Sequence, residues 1–273
     1  MKNIFHPSDF TEESEVAFAH ALKIALPAKA NLSMFHVHEK RDDEEWTEFP
    51  GVRNLLVRWK LIPEGSSRDE VRKLGLGIQK IQGMREDPVA SILGYLESTP
   101  NDLIVLTTHQ QKGIDRLLHK AIAEPVARES KQLTLFIPQE QKGFVSLKDG
   151  KVSLQRILIP VDQNPLPQAA IDAASGLVHL LNGNRTEFTI VHVGSHKTLP
   201  PFHLSNGHDS KWKTIVSTGN VVEQILKIAE DRAPDLIVMA TQGHQGFLDA
   251  LRGSTTERVL RAASCPILAV PVE

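Results

Sequence analysis

Glycine and hydroxyl residues near the end of the chain have a spacing that suits the binding of an anion. The segment Gly253-Ser254-Thr255 opens a stretch with helical spacing, and Gly243 and Gly246 lie just upstream. Glycine lets the backbone approach an anion closely, and a helix N-terminus offers unpaired N–H groups and the positive end of its dipole. Ser254 also lies three residues before Glu257, which is the spacing of a capping box. These residues predict an anion-binding loop that ends at a helix N-terminus.

Three apolar runs of the second half end in residues that could complete such a site. The three run ends are Pro160-Val161-Asp162, Val193-Gly194 and Ala240-Thr241. In an open parallel sheet, ligands bind beyond the carboxyl ends of the strands, where the strand order reverses. The Asp162 carboxylate could there accept a hydrogen bond from a sugar hydroxyl. A capping or turn role ahead of Pro165 is the alternative for this aspartate.

The twelve histidines raise the question of a metal site. His6, His38 and His109 fall at the ends of three runs in the first half, and neutral imidazoles there could bind zinc. Solvated or hydrogen-bonded histidines are the simpler interpretation, so we expect no metal. Cys265 is the single cysteine, which excludes an intramolecular disulfide and a zinc site built on cysteines.

The sequence offers little support for catalysis. It contains no Ser–His–Asp order, no H-E-x-x-H motif and no Walker lysine motif. We therefore predict no catalytic residue.

The elements that would position these residues occur twice along the chain. DLIVLTTHQQKG at 102–113 corresponds to DLIVMATQGHQG at 235–246, an offset of 235 − 102 = 133. The starts of the two halves also correspond, since IFHPSDF at 4–10 parallels ILIPVDQ at 157–163. A match of this length indicates a tandem duplication. We predict domains at 1–140 and 154–273, joined by a linker at 141–153 that forms a hairpin around Asp149-Gly150.

Each half alternates short apolar runs, rich in β-branched residues, with longer stretches of helical spacing. Continuous apolar runs are typical of strands buried on both faces of a parallel sheet. The pattern predicts two tandem doubly wound α/β domains, each a five-stranded and mostly parallel sheet flanked by helices. The first half adds a helical insertion at about 52–75. The last apolar runs of both halves would leave exposed edges, so we expect the domains to pack as a pseudo-dimer, with a homodimer as an open alternative.

Charge and hydropathy narrow the class of protein. The 31 basic residues balance 33 acidic ones, which argues against binding nucleic acid or an anionic membrane by bulk charge. Hydrophobic residues make up 41% of the chain, enough for a core, and no run approaches the length of about 20 residues of a membrane-spanning helix. We expect a cytoplasmic globular protein.

The motif of the second half resembles that of the universal stress protein family. The nucleotide motif of that family is Gly, two residues, Gly, nine residues, and then Gly-Ser or Gly-Thr. This chain has Ala240, Gly243 and Gly253-Ser254 at the same spacing, so that only the first glycine is altered. The ending CPILAVP is also typical of the family. The resemblance extends over nearly all of both halves.

The resemblance implies a stress-associated protein that binds ATP, and it leaves open whether Mg²⁺ binds together with the ATP. It implies adenine between the ends of the first two strands, Asp162 at the ribose and Gly253-Ser254-Thr255 at the phosphates. The residues implied for the site are Pro160, Val161, Asp162, Val193, Ala240, Thr241, Gly243, His244, Gly246, Gly253, Ser254 and Thr255.

The first copy departs from the motif, so we expect one nucleotide per chain. Thr107, Gln110, Lys120 and Ala121 occupy its motif positions. The N-terminal domain would then be structural or regulatory. Two alternatives stay open: a nucleotide-free module that docks an unknown protein partner through two vestigial sites, and a slow ATPase.

Overall fold

The computed structural model describes residues 1–8, 12–37, 51–83, 87–108, 122–139, 141–183, 185–204, 210–242 and 255–272. These residues divide into two compact units, Met1–Val152 and Ser153–Glu273. Some residues of the predicted sites lie outside the described ranges. In the second copy these are Gly243, His244, Gly246, Gly253 and Ser254; in the first they are Gln110, Lys120 and Ala121, together with His38 and His109.

The first unit is built on a parallel sheet of five strands. The strands are β1 (Asn3–Pro7), β2 (Asn31–Val37), β3 (Gly77–Gly83), β4 (Leu103–Thr108) and β5 (Thr134–Pro138), in the spatial order β3-β2-β1-β4-β5. The helices are α1 (Glu12–Ala28), α2 (Val52–Arg58), α3 (Arg68–Lys73), α4 (Pro88–Ser98) and α5 (Ala123–Ser130). Helices α2 and α3 form the predicted insertion between β2 and β3.

The second unit repeats this topology. Its strands are β6 (Arg156–Pro160), β7 (Glu187–Val193), β8 (Lys211–Ser217), β9 (Leu236–Gln242) and β10 (Ile267–Val272), in the order β8-β7-β6-β9-β10, again parallel. Its helices are α6 (Gln168–Leu180), α7 (Val221–Arg232) and α8 (Thr255–Ala262), and a single 3₁₀ turn spans His196–Thr198. The prediction of two tandem α/β domains with mostly parallel sheets is confirmed.

The sequence accounts for the local elements. The Ile, Leu, Val and Met residues of β6 and β9 are buried, as continuous apolar runs require in a sheet covered on both faces. Helix α7 begins at an N-cap, where the Asn220 side chain accepts hydrogen bonds from the backbone N–H of Val222 (3.1 Å) and Glu223 (3.3 Å). The first turn of α7 is therefore fixed where β8 ends.

An aspartate before the fourth strand of each unit ties that strand to the start of the first. Asp235 accepts hydrogen bonds from the backbone N–H groups of Gln155 and Arg156, both at 2.8 Å. Asp102, at the same place in the repeat, accepts one from Asn3 at 2.9 Å. This repeated contact sets the two strands side by side, so their carboxyl ends emerge next to each other.

Residues 141–152, which the sequence assigns to a linker, belong to the first unit. Val145 and Val152 form an antiparallel bridge, and the Ser146 N–H donates to the Lys151 carbonyl at 2.9 Å. The turn closes at Gly150, whose φ of +67° favours glycine. We call residues 143–152 the hairpin.

None of the helices in the described ranges is long and apolar enough to cross a membrane.

Candidate functional site

A cavity of about 310 Å³ lies at the carboxyl ends of β6, β7 and β9 in the second unit. Strands β7 and β8 follow β6 on one side, whereas β9 and β10 lie on the other, so the strand order reverses between β6 and β9. Such a reversal splays the loops on its two sides apart and leaves a crevice for a ligand.

The structure brings together every predicted site residue that it describes. Seven of them line this cavity: Pro160, Val161, Asp162, Val193, Ala240, Thr241 and Thr255. The other five, Gly243, His244, Gly246, Gly253 and Ser254, lie outside the described residues.

The cavity has an apolar wall and a polar rim. Val191, Val221, Ile225 and Met239 contribute the apolar wall, from β7, α7 and β9. The polar side chains of the lining are Asp162, Asn164, Thr241, Gln242, Thr255 and Thr256. This division suits a ligand that has a flat apolar part and a hydroxylated or charged part.

Asp162 is exposed at the rim, where it serves a turn and remains able to bind a ligand. Its Oδ1 accepts a hydrogen bond from the backbone N–H of Gln163 at 2.8 Å. This contact is the turn role that the sequence left open. Because a carboxylate has about four acceptor sites, one N–H contact leaves the group able to accept hydroxyl donors as well.

His192 positions the ends of β6 and β7 and does not face the cavity. It is only 2% exposed, and its Nδ1 donates to the Val161 carbonyl at 3.2 Å. The Nδ1 atom therefore carries a proton, and Nε2 lies within hydrogen-bond distance of the Thr198 hydroxyl, at 2.9 Å. His36 does the same in the first unit, where its Nδ1 donates to the Ser8 carbonyl at 2.7 Å, and the Nδ1 of the buried His6 donates to the Val105 carbonyl at 3.0 Å. Hydrogen-bonding roles account for these histidines.

Across the described ranges, no three side chains of His, Cys, Asp or Glu come close enough together to hold a metal ion. The histidine cluster considered from the sequence includes His38 and His109, which lie outside those ranges.

Sequence reasoning missed part of the lining. Asn164, Pro165 and Pro167 follow Asp162 closely, and Gln242 lies between Thr241 and Gly243, so proximity along the chain could have indicated them. Gln242 Nε2 donates to Asn164 Oδ1 at 2.6 Å, a contact between residues 78 positions apart for which the sequence carries no signal.

An aromatic side chain fills the corresponding position of the first unit. Phe35 of β2 corresponds to Val191 of β7, since LSMFHVHE at 32–39 aligns with FTIVHVGS at 188–195. Phe35 is 3% exposed, and its ring centroid lies 5.7 Å from that of Phe5 and 5.4 Å from that of Tyr95 on α4. The ring also reaches the end of β3, because a Cβ added to Gly83 would lie 2.7 Å from Phe35 Cζ. Three packed rings thus take up space that the smaller Val191 leaves open.

Comparison with known proteins agrees with the repeated fold. A sequence profile of the universal stress protein family matches residues 1–138 and 202–271. The universal stress protein Slr1230 of Synechocystis is 22% identical over 295 residues, which cover 98% of this chain and 99% of that protein.

A second relative matches a shorter stretch. The universal stress protein MJ0577 of Methanocaldococcus jannaschii is 40% identical over 60 residues, 22% of this chain, and the match spans only 37% of that protein. Among solved structures, a universal stress protein from Archaeoglobus fulgidus superposes with a TM-score of 0.63 at 16% identity, covering 98% of this chain and 96% of that one. This structural likeness concerns the fold.

Proposed function

Because the chain belongs to the universal stress protein family, we propose that its second unit binds ATP in the cavity at the ends of β6, β7 and β9. The observation that carries the proposal is the convergence on one cavity of the seven described residues that the family resemblance implies for the site. Some members of the family bind adenine nucleotides. The protein would then be a stress-associated nucleotide-binding protein.

The chemistry of the lining suits the parts of a nucleotide. The wall of Val191, Ile225 and Met239 offers the apolar surface on which a flat base packs. Thr255 opens helix α8, whose N-terminus favours phosphate, and the sequence places Gly253 and Ser254 directly before it. The altered motif residue, Ala240, adds one methyl group to the lining, and a cavity of about 310 Å³ is present with that methyl group in place.

Asp162 is the only carboxylate among the described lining residues, so ribose and Mg²⁺ are competing uses for it. Mg²⁺ is commonly held by one or two carboxylates together with the phosphates of a nucleotide. A carboxylate that accepts hydrogen bonds from the ribose would instead contribute to ATP binding whether or not Mg²⁺ is present.

We further propose that the first unit binds no nucleotide and has a structural or regulatory role. The packed rings of Phe5, Phe35 and Tyr95 support this proposal, because a base would have to displace Phe35 from its contacts. The substitution of the motif residues by Thr107, Gln110, Lys120 and Ala121 points the same way.

Calorimetric titration of the full chain with ATP, with and without Mg²⁺, tests the proposal. We expect one ATP per chain. Val191→Phe gives the second unit the ring of the first and should abolish binding. The matched control is Phe35→Val, which makes the reciprocal change and should leave the affinity for ATP within about twofold, with circular dichroism to verify folding. Two ATP per chain, or binding that survives Val191→Phe, would contradict the proposal.

Asp162→Asn separates the two uses of the aspartate. If the carboxylate serves the ribose, this variant weakens ATP binding equally with and without Mg²⁺. If it serves the metal ion, the variant removes only the part of the affinity that Mg²⁺ adds.

A further inference from the structure

Two side-chain amides meet at the edge of the cavity and join its two sides. Gln242 Nε2 donates to Asn164 Oδ1 at 2.6 Å, and both residues line the cavity. Gln242 is the last residue of β9, whereas Asn164 lies in the loop that follows β6. These two strands are neighbours, and the strand order reverses between them. The amide pair therefore connects the end of β9 to the loop that follows β6.

Backbone contacts hold the chain close to each of the two amides. Gln242 is in register with Val272 of β10. At the start of the other loop, the Val161 N–H donates to the Val191 carbonyl at 2.8 Å. Further along that loop Pro167 is buried, and its ring fixes φ. A single neutral hydrogen bond at an exposed residue has a small net strength, which suits a contact that opens and closes.

We propose that the Asn164–Gln242 pair is a latch that restricts access to the cavity and slows the exchange of its ligand. The identity of the ligand, an adenine nucleotide, rests on the proposed function. The latch itself rests on the geometry of the two amides and can be tested without any nucleotide.

Among the isosteric variants only the double variant breaks the latch, because each single variant keeps one donor and one acceptor at the contact. In Asn164→Asp, Gln242 Nε2 still finds an oxygen acceptor. In Gln242→Glu, the Asn164 amide can turn over and donate its Nδ2–H to the carboxylate. In the double variant two carboxylates face each other, and like charges cannot bond. A residue pair with a packing role alone would make the double variant equal to the sum of the singles.

The deciding measurement is the labelling rate of a thiol placed in the cavity. Val193→Cys puts this thiol in the lining, a neutral maleimide is not itself repelled by the added carboxylates, and each rate is corrected for the thiolate fraction measured in that protein. Each single latch variant should label within about twofold of the Val193→Cys parent, and the double variant about tenfold faster than the product of the single effects. The chain without Val193→Cys, which contains only Cys265, gives the background.

The matched control is Gln163→Glu, a neighbouring glutamine whose Nε2 donates to the Thr198 carbonyl at 3.2 Å and which does not line the cavity. It should not change the labelling rate. Labelling that is additive in the double variant would overturn the latch.

Release of a fluorescent ATP analogue provides a separate readout, with the unmodified chain as the parent and the three latch variants made in it, all of which keep Val193. If the parent protein binds no analogue, the proposed function fails, and the labelling rates still decide the latch. If it binds, release from the double variant should exceed the product of the single effects by a similar factor. Release rates without this excess would overturn the claim that the latch slows ligand exchange.

Discussion

At the scale of single residues, the two units use buried side chains for opposite purposes. In the second unit, small apolar residues such as Val191 leave a cavity. In the first, Phe35 fills the equivalent space. Another buried side chain of the first unit, His20, is fully enclosed and holds the hairpin. Its Nδ1 donates to the Val16 carbonyl at 2.7 Å, and its Nε2 accepts from the backbone N–H of Phe144 (2.9 Å) and of Val145 (3.2 Å).

His20 predicts a loss of stability in acid. Burial lowers the pKa of His20 from 6.5 to about 4, because the charged imidazolium is poorly solvated there. The folded pKa lies below the unfolded one, so this stabilisation is complete above pH 6.5 and is lost as the pH falls towards 4. The free energy of unfolding should drop by about 3 kcal/mol between pH 7 and pH 4 from this group alone.

Urea unfolding at both pH values checks the prediction, with His20→Gln as the control. Glutamine keeps an acceptor and does not titrate, so the variant should lose most of this drop. An equal drop in the variant and the parent would show that other groups cause the acid sensitivity.

Cys265 is less buried than its position before an apolar strand suggests, since it is half-buried. Burial, as the larger cause, and the negative charge of nearby Asp235, as the smaller one, raise the pKa of its thiol to about 12. The thiol is therefore protonated at neutral pH and a poor nucleophile, which makes it a suitable background for thiol labelling.

At the scale of elements, the hairpin depends on the insertion that distinguishes the first unit. Trp59, just after α2, donates its Nε1–H to the Leu147 carbonyl at 3.2 Å. Its ring lies against the turn, because a Cβ added to Gly150 would come within 2.6 Å of Trp59 Cδ2. The Lys23 ammonium of α1 lies 5.5 Å from the centre of the same ring. The hairpin therefore packs against side chains from α1 and from the end of α2.

Gly150→Ala should destabilise the first unit more than Gly65→Ala does. Both glycines have positive φ, +67° and +75°, so alanine costs each about 1 kcal/mol in backbone strain. Only Gly150 meets a neighbour, since a Cβ at Gly65 would have nothing within 4 Å. We expect a loss of about 1 kcal/mol for Gly65→Ala and of about 2 kcal/mol for Gly150→Ala. Urea unfolding measures both, and equal losses would show that the Trp59 contact is unimportant.

At the scale of the whole molecule, the duplication gives two units of one topology with different interiors. ATP that binds only the second unit should stabilise that unit alone, by about 2.7 kcal/mol at a concentration of 100 times Kd. Hydrogen exchange should therefore slow at the ends of β6, β7 and β9 and stay unchanged at β1, β2 and β4. Protection of both units to the same degree would contradict the assignment of one site per chain.

The sequence by itself determined the repeat, the parallel sheets and seven of the sixteen described residues that line the cavity. These features follow from local patterns, since buried strands require continuous apolar runs and parallel strands bring their carboxyl ends to one edge. For that reason residues as far apart as Val161, Val193 and Ala240 could be assigned to one cavity.

The tertiary structure alone decided which side chains meet within that frame. His20 and Phe144 are 124 positions apart, and Gln242 and Asn164 are 78 apart. Likewise, a phenylalanine in a β-strand predicts burial but not which space its ring will occupy. The direction of a side chain and the contacts it reaches depend on how several elements pack together. A local sequence pattern does not contain that information.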